Sequence, residues 1–310
     1  VQGLKDLLGF ADMNYKFRLA ADLDLSSEPN LYIPYFAGEF DGNNHTVSNL
    51  NINISFAAEI GLFGNNKGSV KNVGVVDVNV TGGGYVGGLV GYNLEKVENS
   101  YAAGNVSGVG VIGGLVGWNY GTVENSYAIG DVSGVGDNVG GLVGKNYGTI
   151  NDSYASCNVS GRYEAGGLVG YNWRTVENSY AAGNVSGVGV IGGLLGDNYN
   201  YGTVVNSYTI SYVSGEEYVG GLVGYNHYGM VKYAYAAGRV NGSSNVGGLI
   251  GYNVMGTIIS SFWDINTTGQ TRSSGGTGKT TDEMKNKTTF TSAGWDFTNI
   301  WDIWDGRTYP

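Results

Sequence analysis

The stretch Gly113–Gly134, GGLVGWNYGTVENSYAIGDVSG, decides the fold. Its core pattern, Gly-Leu-apolar-Gly-x-Asn, begins at Gly61, Gly88, Gly114, Gly141, Gly167, Gly193, Gly221 and Gly248, at spacings of 27, 26, 27, 26, 26, 28 and 27 residues. Self-similarity at a fixed period of this size is the signature of a solenoid, propeller or array. Each unit holds short runs rich in Val, Tyr, Thr and Ser, cut by Gly and Asn, with no helix-length apolar period. That reads as two or three short strands joined by turns. A propeller blade needs ~40–50 residues, so the unit fits one coil of a β-solenoid. Eight coils at a strand spacing of ~4.8 Å would stack to roughly 40 Å. One coil alone buries little, and the core exists only because neighbours stack.

Composition agrees. Glycine supplies 56 of 310 residues, far above the usual ~7%. Collagen is excluded, because the glycines follow no three-residue period and only 3 prolines are present. With 16 basic and 26 acidic residues the net charge is −10, which repels phosphate and argues against a nucleic-acid partner. One cysteine excludes an intrachain disulfide framework. No run of 18 apolar residues is present, so no membrane span is expected. Val1 follows no basic or apolar leader, so any signal peptide is expected to have been removed.

Variation between units separates inside from outside. The positions of Ile129 and Asp131 accept Ala, Ser, Asp, Arg and Tyr elsewhere and should face solvent. Those of Ala128, Gly130 and Val132 stay small or apolar and should face the interior, where Cys157 replaces a glycine as a buried, inert thiol. Asn66, Asn93, Asn119, Asn146, Asn172, Asn198, Asn226 and Asn253 form one column, expected to be a structural ladder of side-chain amides. A second column holds Asn72, Asn99, Asn125, Asn178 and Asn206, with Asp152, Tyr233 and Ser260 in the other units, and suits turns. Tyr101, Tyr127, Tyr154, Tyr180, Tyr208 and Tyr235 form a third, continued by Phe262. They point outward if the chain turns at Asn125, as an aromatic contact face, and fill the core if it does not. Asn79, Asn105, Asn158 and Asn184 are sequons sharing one outward position, either glycan acceptors or turn chemistry.

The flanks leave the pattern. Residues 1–60 read as an N-terminal cap with a short amphipathic helix over Gly3–Met13, carrying Leu4, Leu7, Leu8 and Met13, and strand-like runs at Tyr15–Leu25 and Phe36–Ile54. Residues 61–261 are the repeat solenoid. Residues 262–310, with Trp263, Trp295, Trp301 and Trp304, read as a C-terminal cap. Solenoids need such ends to cover exposed strand edges.

The repeat, seen as GGLVGYN at Gly87–Asn93 and in its copies, resembles the GLUG-motif family. The segments FAGEFDGNNHTVSNLNI at Phe36–Ile52, FWDINTTGQTRSSGGTGKTTDEM at Phe262–Met284 and AGWDFTNIW at Ala293–Trp301 resemble segments that accompany such repeats. The resemblance implies an all-β, right-handed parallel β-helix in a secreted or cell-surface setting, as in bacterial and archaeal proteins similar to filamentous-haemagglutinin-like adhesins. The repeats also occur in immunoglobulin A-cleaving metallopeptidases.

Candidate chemistry is sparse. The zinc helix of the metallopeptidase branch needs His-Glu-x-x-His, and the chain has only His45 and His227. GVGVIG at Gly108–Gly113 and Gly187–Gly192 matches Gly-x-Gly-x-x-Gly but recurs at an inter-strand turn, not between a strand and a helix. GGTGKT at Gly275–Thr280 lacks the first P-loop glycine and reads as a flexible loop. Glu98, Glu124 and Glu177 share an outward position; adjacent rungs would set Glu98 and Glu124 ~5 Å apart, near the carboxylate separation of retaining glycosidases. Asp22, Asp24 and Asp41 would serve a calcium ion between turns, but match no loop signature. Asp264, Asp296, Asp302 and Asp305 beside the terminal tryptophans are the other place for a lone site. The expectation is a non-enzymatic extracellular or cell-surface adhesion module with a protein or glycan ligand and no cofactor. The alternatives are a filament subunit assembling through solenoid ends or faces, and a polysaccharide-active enzyme.

Overall fold

A computed structural model describes residues 1–9 and 15–310. Each turn of the coil runs through four short strands that define four faces. In one central turn they are Val111–Gly113 (face 1), Val116–Asn119 (face 2), Thr122–Glu124 (face 3) and Tyr127–Gly134 (face 4). Four strands, not two or three, result because glycine and asparagine break the chain at corners that composition alone merges into longer runs. Successive turns pair in parallel, residue on equivalent residue: Val116 lies between Val90 and Val143, and Val123 between Val97 and Ile150. Among the described residues the resulting sheets hold 8, 9, 10 and 15 strands for faces 1 to 4, which makes a β-solenoid of about nine turns.

The stack begins before the first Gly-Leu signature. Ile33–Phe36 pairs with Phe63–Asn66, and Glu39–Asp41 with Ser69–Lys71, in the register of every later turn. Here Phe36, Phe40 and Phe63 fill the interior, their ring centroids 5.1–6.3 Å apart, in the space that Leu and Val occupy elsewhere. The repeat letters change, but the demand for buried apolar volume does not.

Leu62, Leu89, Leu115, Leu142, Leu168, Leu194, Leu222 and Leu249 are all fully buried in one interior column. Their backbone amides donate up the stack, Leu89 to Leu115 at 3.0 Å and Leu115 to Leu142 at 3.0 Å. Burying one such side chain contributes ~1.5–3 kcal/mol. The glycine at the end of face 1 is steric in origin: a Cβ on Gly113 would lie 2.0 Å from the Val116 carbonyl oxygen. At the corner between faces 3 and 4 the chain turns left-handed, with φ 48° at Asn99, 47° at Asn125 and 49° at Asn178. Asparagine is among the few side chains that tolerate this region. The turn sets the parity of face 4. Ala128 and Val132 are buried, Ile129 and Asp131 are exposed, and Tyr127 faces outward. Cys157 is buried in the inward column; burial pushes its thiol up to about 12.

The asparagines at the end of face 2 form a continuous buried ladder. Nδ2 of each donates to Oδ1 of the next: 2.8 Å for Asn66 to Asn93, Asn93 to Asn119, Asn119 to Asn146 and Asn146 to Asn172, then 2.9, 2.8 and 2.8 Å up to Asn253. The same nitrogen donates to a carbonyl of its own corner, as Asn146 does to Gly148 at 3.1 Å. A second ladder runs between faces 3 and 4. The Ser126 amide donates to Ser153 Oγ at 3.1 Å and the Ser153 amide to Ser179 Oγ at 3.2 Å, while each hydroxyl donates to a carbonyl two residues back.

At the start, Gln2–Asp6 is helical and Leu7–Gly9 forms a 3-10 turn; Leu4 and Leu7 are buried and Leu8 is exposed. Met13 lies outside the described residues. At the far end, Phe262–Asp264 and Thr277–Lys279 add two strands to face 4. The GGTGKT segment is therefore a strand followed by the helix Thr281–Met284, capped by Thr280 and Glu283, and not a loop. Ser273 Oγ accepts the Ile250 amide at 2.8 Å, satisfying a donor of the last turn. The final segment folds back over the tyrosine column: Phe290, Trp295 and Trp301 pack with Tyr235 and Phe262.

Asn146→Ala should lower stability by ~1–3 kcal/mol, because it leaves Asn119 Nδ2 and Asn172 Oδ1 without their cross-turn partners in a dry corner. Chemical denaturation reads this directly, and an unchanged midpoint would show that the amide column contributes nothing.

Candidate functional site

The two outward residues of faces 1 and 2 interlock along the coil. Face 2 presents, in register, Asn65, Tyr92, Trp118, Lys145, Tyr171, Asp197, Tyr225 and Tyr252. Face 1 brings Tyr85, Asn138, Glu164 and Tyr218 against it. Tyr85 sits 5.7 Å from Tyr92 and 4.6 Å from Trp118, one turn up, while Tyr218 spans Tyr225 and Tyr252 at 5.8 and 5.3 Å. A parallel aromatic row follows the Asn ladder: Tyr120, Tyr147, Trp173, Tyr199 and His227, with successive centroids 5.1, 5.4, 5.1 and 4.8 Å apart. Rings this close shield one another, so an outward surface becomes locally dry.

Two charged residues interrupt the face 2 row. Lys145 Nζ lies 4.9 Å from the Trp118 ring, 4.9 Å from Tyr171 and 5.5 Å from Tyr147, where ring quadrupoles favour a cation. Asp197, two positions along, stands between Tyr171 and Tyr225 and is 6% exposed. Its Oδ1 is buried and has no hydrogen-bond partner. Burial, then the neighbouring Glu164 charge, push its carboxyl up to about 8. Glu164 is pushed up to about 7, first by burial, against the lowering effect of Lys145. Glu164 Oε2 accepts a hydrogen bond from Asn138 Nδ2. Trp118 Nε1 and Asn65 Oδ1 are also buried without partners. Thus three of the five such atoms among the described residues, those of Asn65, Trp118 and Asp197, lie on this one outward row. Unsatisfied buried polar atoms are rare in folded proteins, and each asks for an explanation.

The residues singled out from sequence are placed as follows. The eight asparagines Asn66 to Asn253 form the interior ladder described above. Tyr101, Tyr127, Tyr154, Tyr180 and Tyr208 are half-buried and stacked at 4.8–5.0 Å, with interplanar angles of 1–9°. Tyr235 ends that stack under the C-terminal segment. Asn79, Asn105, Asn158 and Asn184 are exposed on face 4, and Asn184 Nδ2 donates to Asn158 Oδ1 at 2.8 Å. Glu98 and Glu124 share the Lys96 ammonium at 3.0 and 3.1 Å. Asp22, Asp24 and Asp41 each accept backbone and side-chain hydrogen bonds, and no group of three or more metal-ligating side chains occurs among the described residues. Asp264 is buried, caps the helix Ile265–Thr268 and accepts from Thr281 and Tyr309 hydroxyls at 2.7 Å. Asp296 and Asp305 accept backbone amides of Thr298 and Lys287. Asp302 accepts that of Ile303.

The fold and its outward aromatic face define a parallel β-solenoid repeat protein. Four of its repeats, residues 82–107, 108–133, 161–186 and 215–241, match the family model of the GLUG motif. The chain is similar, at 46% identity over 54 residues, to an Evansella cellulosilytica protein named as a Gly-rich membrane protein, and at 37% over 105 residues to halomucin of Haloquadratum walsbyi. Those stretches are 17% and 29% of this chain but only 6% and 1% of the relatives' own lengths. A Bacteroides ovatus crystal structure named for an immunoglobulin A1 protease superposes with a TM-score of 0.48 at 20% identity, over 97% of this chain and 89% of that one. Among the described residues, no helix is long and apolar enough to cross a membrane.

The raised carboxyls give a signed pH effect. Their folded values lie above the unfolded ones, so between about pH 4 and 8 the folded state holds protons that the unfolded chain has released. This contribution is present at acid pH and is lost as pH rises through 7 to 8. Asp197→Asn should flatten the decline, and at pH 9 the variant should be the more stable by ~1–3 kcal/mol. Urea midpoints of both proteins at pH 5, 7 and 9 test this; parallel curves would contradict it.

Proposed function

We propose that the chain is a non-enzymatic attachment module of the cell surface, gripping a glycan or protein partner along the face 1–face 2 row. The observation that carries this reading is the coincidence of stacked aromatic rings with three unpartnered buried polar atoms on one outward row. Aromatic planes accept the apolar faces of sugar rings or side chains. A rigid, ladder-braced coil holds such a row pre-organised, so little ordering entropy is lost on binding.

Surface association is supported by the GLUG repeats and by the names of the two relatives. A non-catalytic role draws support from the fate of three carboxylates singled out in the sequence: Glu98 and Glu124 are engaged by Lys96, and Asp264 caps a helix. The exposed asparagines Asn79, Asn105, Asn158 and Asn184 stand where N-glycans would project from face 4. A second reading, a polysaccharide-cleaving solenoid, is favoured by one feature only, the nearness of Glu164 to Asp197 on an aromatic-lined face.

The purified chain is to be incubated with immunoglobulin, matrix proteins and a panel of neutral and acidic polysaccharides. Saturable binding, weakened at least tenfold by Tyr171→Ala or Tyr225→Ala and without cleavage, is the expected result. Turnover of any polysaccharide, lost in Asp197→Asn, would establish the enzyme reading instead.

A further inference from the structure

Along face 2 the protein already shows what its aromatic niches hold. The niche formed by Trp118, Tyr147 and Tyr171 contains the chain's own ammonium, Lys145 Nζ, within 4.9–5.5 Å of all three rings. The next niche along the same row is built from the same parts. Tyr171 and Tyr225 flank it in register, and Tyr199 closes its side, 5.8 Å from Tyr171. Here, however, the sequence places a carboxyl, Asp197, with no hydrogen bond to its buried Oδ1. Glu164, on face 1 of the preceding turn, holds the place relative to Asp197 that Tyr85 holds relative to Trp118, and one of its oxygens is taken up by Asn138.

A carboxylate set among aromatic side chains and away from water, without a hydrogen bond to one of its oxygens, is poorly placed as a free anion. The arrangement becomes favourable when a cation lies between carboxylate and rings, since each then attracts it. We propose that Asp197 and Glu164, caged by Tyr171, Tyr199 and Tyr225, form a binding site for an organic ammonium group. A primary ammonium carries three donors, enough to serve the Asp197 carboxyl and the free oxygen of Glu164 together. Two sources carry this chemistry, the amine of a deacetylated amino sugar and the side chain of a lysine. The net charge of −10 further favours approach by cationic partners. The inference rests on the attachment reading above, and narrows it to one ligand chemistry at one point of the row.

Calorimetric titration of the full chain at low salt tests it. The probes are a glucosamine tetramer, a lysine tripeptide blocked at both ends, and the N-acetylated form of each. At least one ammonium-bearing probe should bind tenfold or more tightly than its acetylated form, and the better of the two identifies the source. Asp197→Asn and Glu164→Gln should each weaken that probe at least tenfold, while Glu98→Gln on face 3 should not. Thermal melts of both variants establish that they are folded. Equal affinity for charged and acetylated probes, no binding of either amine, or wild-type binding by Asp197→Asn, would each overturn the proposal. Neutral glycans binding wild type and Asp197→Asn alike, with neither amine bound more tightly than its acetylated form, would leave the attachment reading standing while removing the ammonium site. Amine binding sensitive to Asp197, with no binding to the glycan and protein panel, would support the site while retiring the broader reading.

Discussion

Register between neighbouring turns is the constraint on which the whole molecule depends. A parallel strand that slips by one residue turns its buried side chains to solvent and its outward ones into the core. Hydrophobic pattern alone resists this weakly in a chain so rich in glycine. The asparagine column resists it strongly, because each buried amide must both donate and accept across turns, and a slipped neighbour offers neither group. Turns of unequal length show the ladder in control. The turn that starts at Gly193 has 28 residues, and its extra residues are taken up after the ladder: Asn198 Nδ2 reaches Gly202 O, four residues on, where Asn146 reaches Gly148 O, two residues on. Both still meet the next rung, Asn198 at 2.8 Å and Asn146 at 2.8 Å. Length varies only where the chain faces outward.

The interior was legible for the same reason. Leu115, Val132 and Asn146 recur because their places are identical in every turn, and a period of 26–28 residues displays that identity without any knowledge of coordinates. The serine ladder was equally periodic, at Ser100, Ser126, Ser153, Ser179 and Ser207, yet serine after asparagine reads as ordinary turn chemistry and gives no sign of burial. The first turn escaped because Phe36 and Phe40 occupy the core without the glycine-leucine signature. Its register was set by volume and backbone pairing, which letters do not record.

The candidate site was not legible, and the reason is geometric. Repeated carboxylates draw attention in a sequence, but Glu98 and Glu124 repeat on a face where Lys96 holds both. Asp197 is the single carboxyl of its column, Glu164 shares its column with Glu59 four turns away, and the two lie on different faces and in different turns. Only the winding of the coil brings them together. Their environment is also a product of stacking: no single turn contains enough aromatic surface to bury a carboxyl, whereas three turns contribute Tyr171, Tyr199 and Tyr225 around one point.

Division of labour between the two sides of each strand makes such a site affordable. Stability resides in inward Leu and Val, in the two hydrogen-bonded ladders and in backbone pairing, all of which repeat. Outward positions then carry little obligation to the fold, and they differ from turn to turn while the frame stays constant. The face 2 row illustrates the outcome. At one backbone position, successive turns offer Trp118, Lys145, Tyr171, Asp197 and Tyr225, so residues of opposite charge occupy equivalent niches between rings. Lys145 is satisfied by its surroundings, and Asp197 is not. Because the niches are built alike, the difference arises from the side chain and not from the coil.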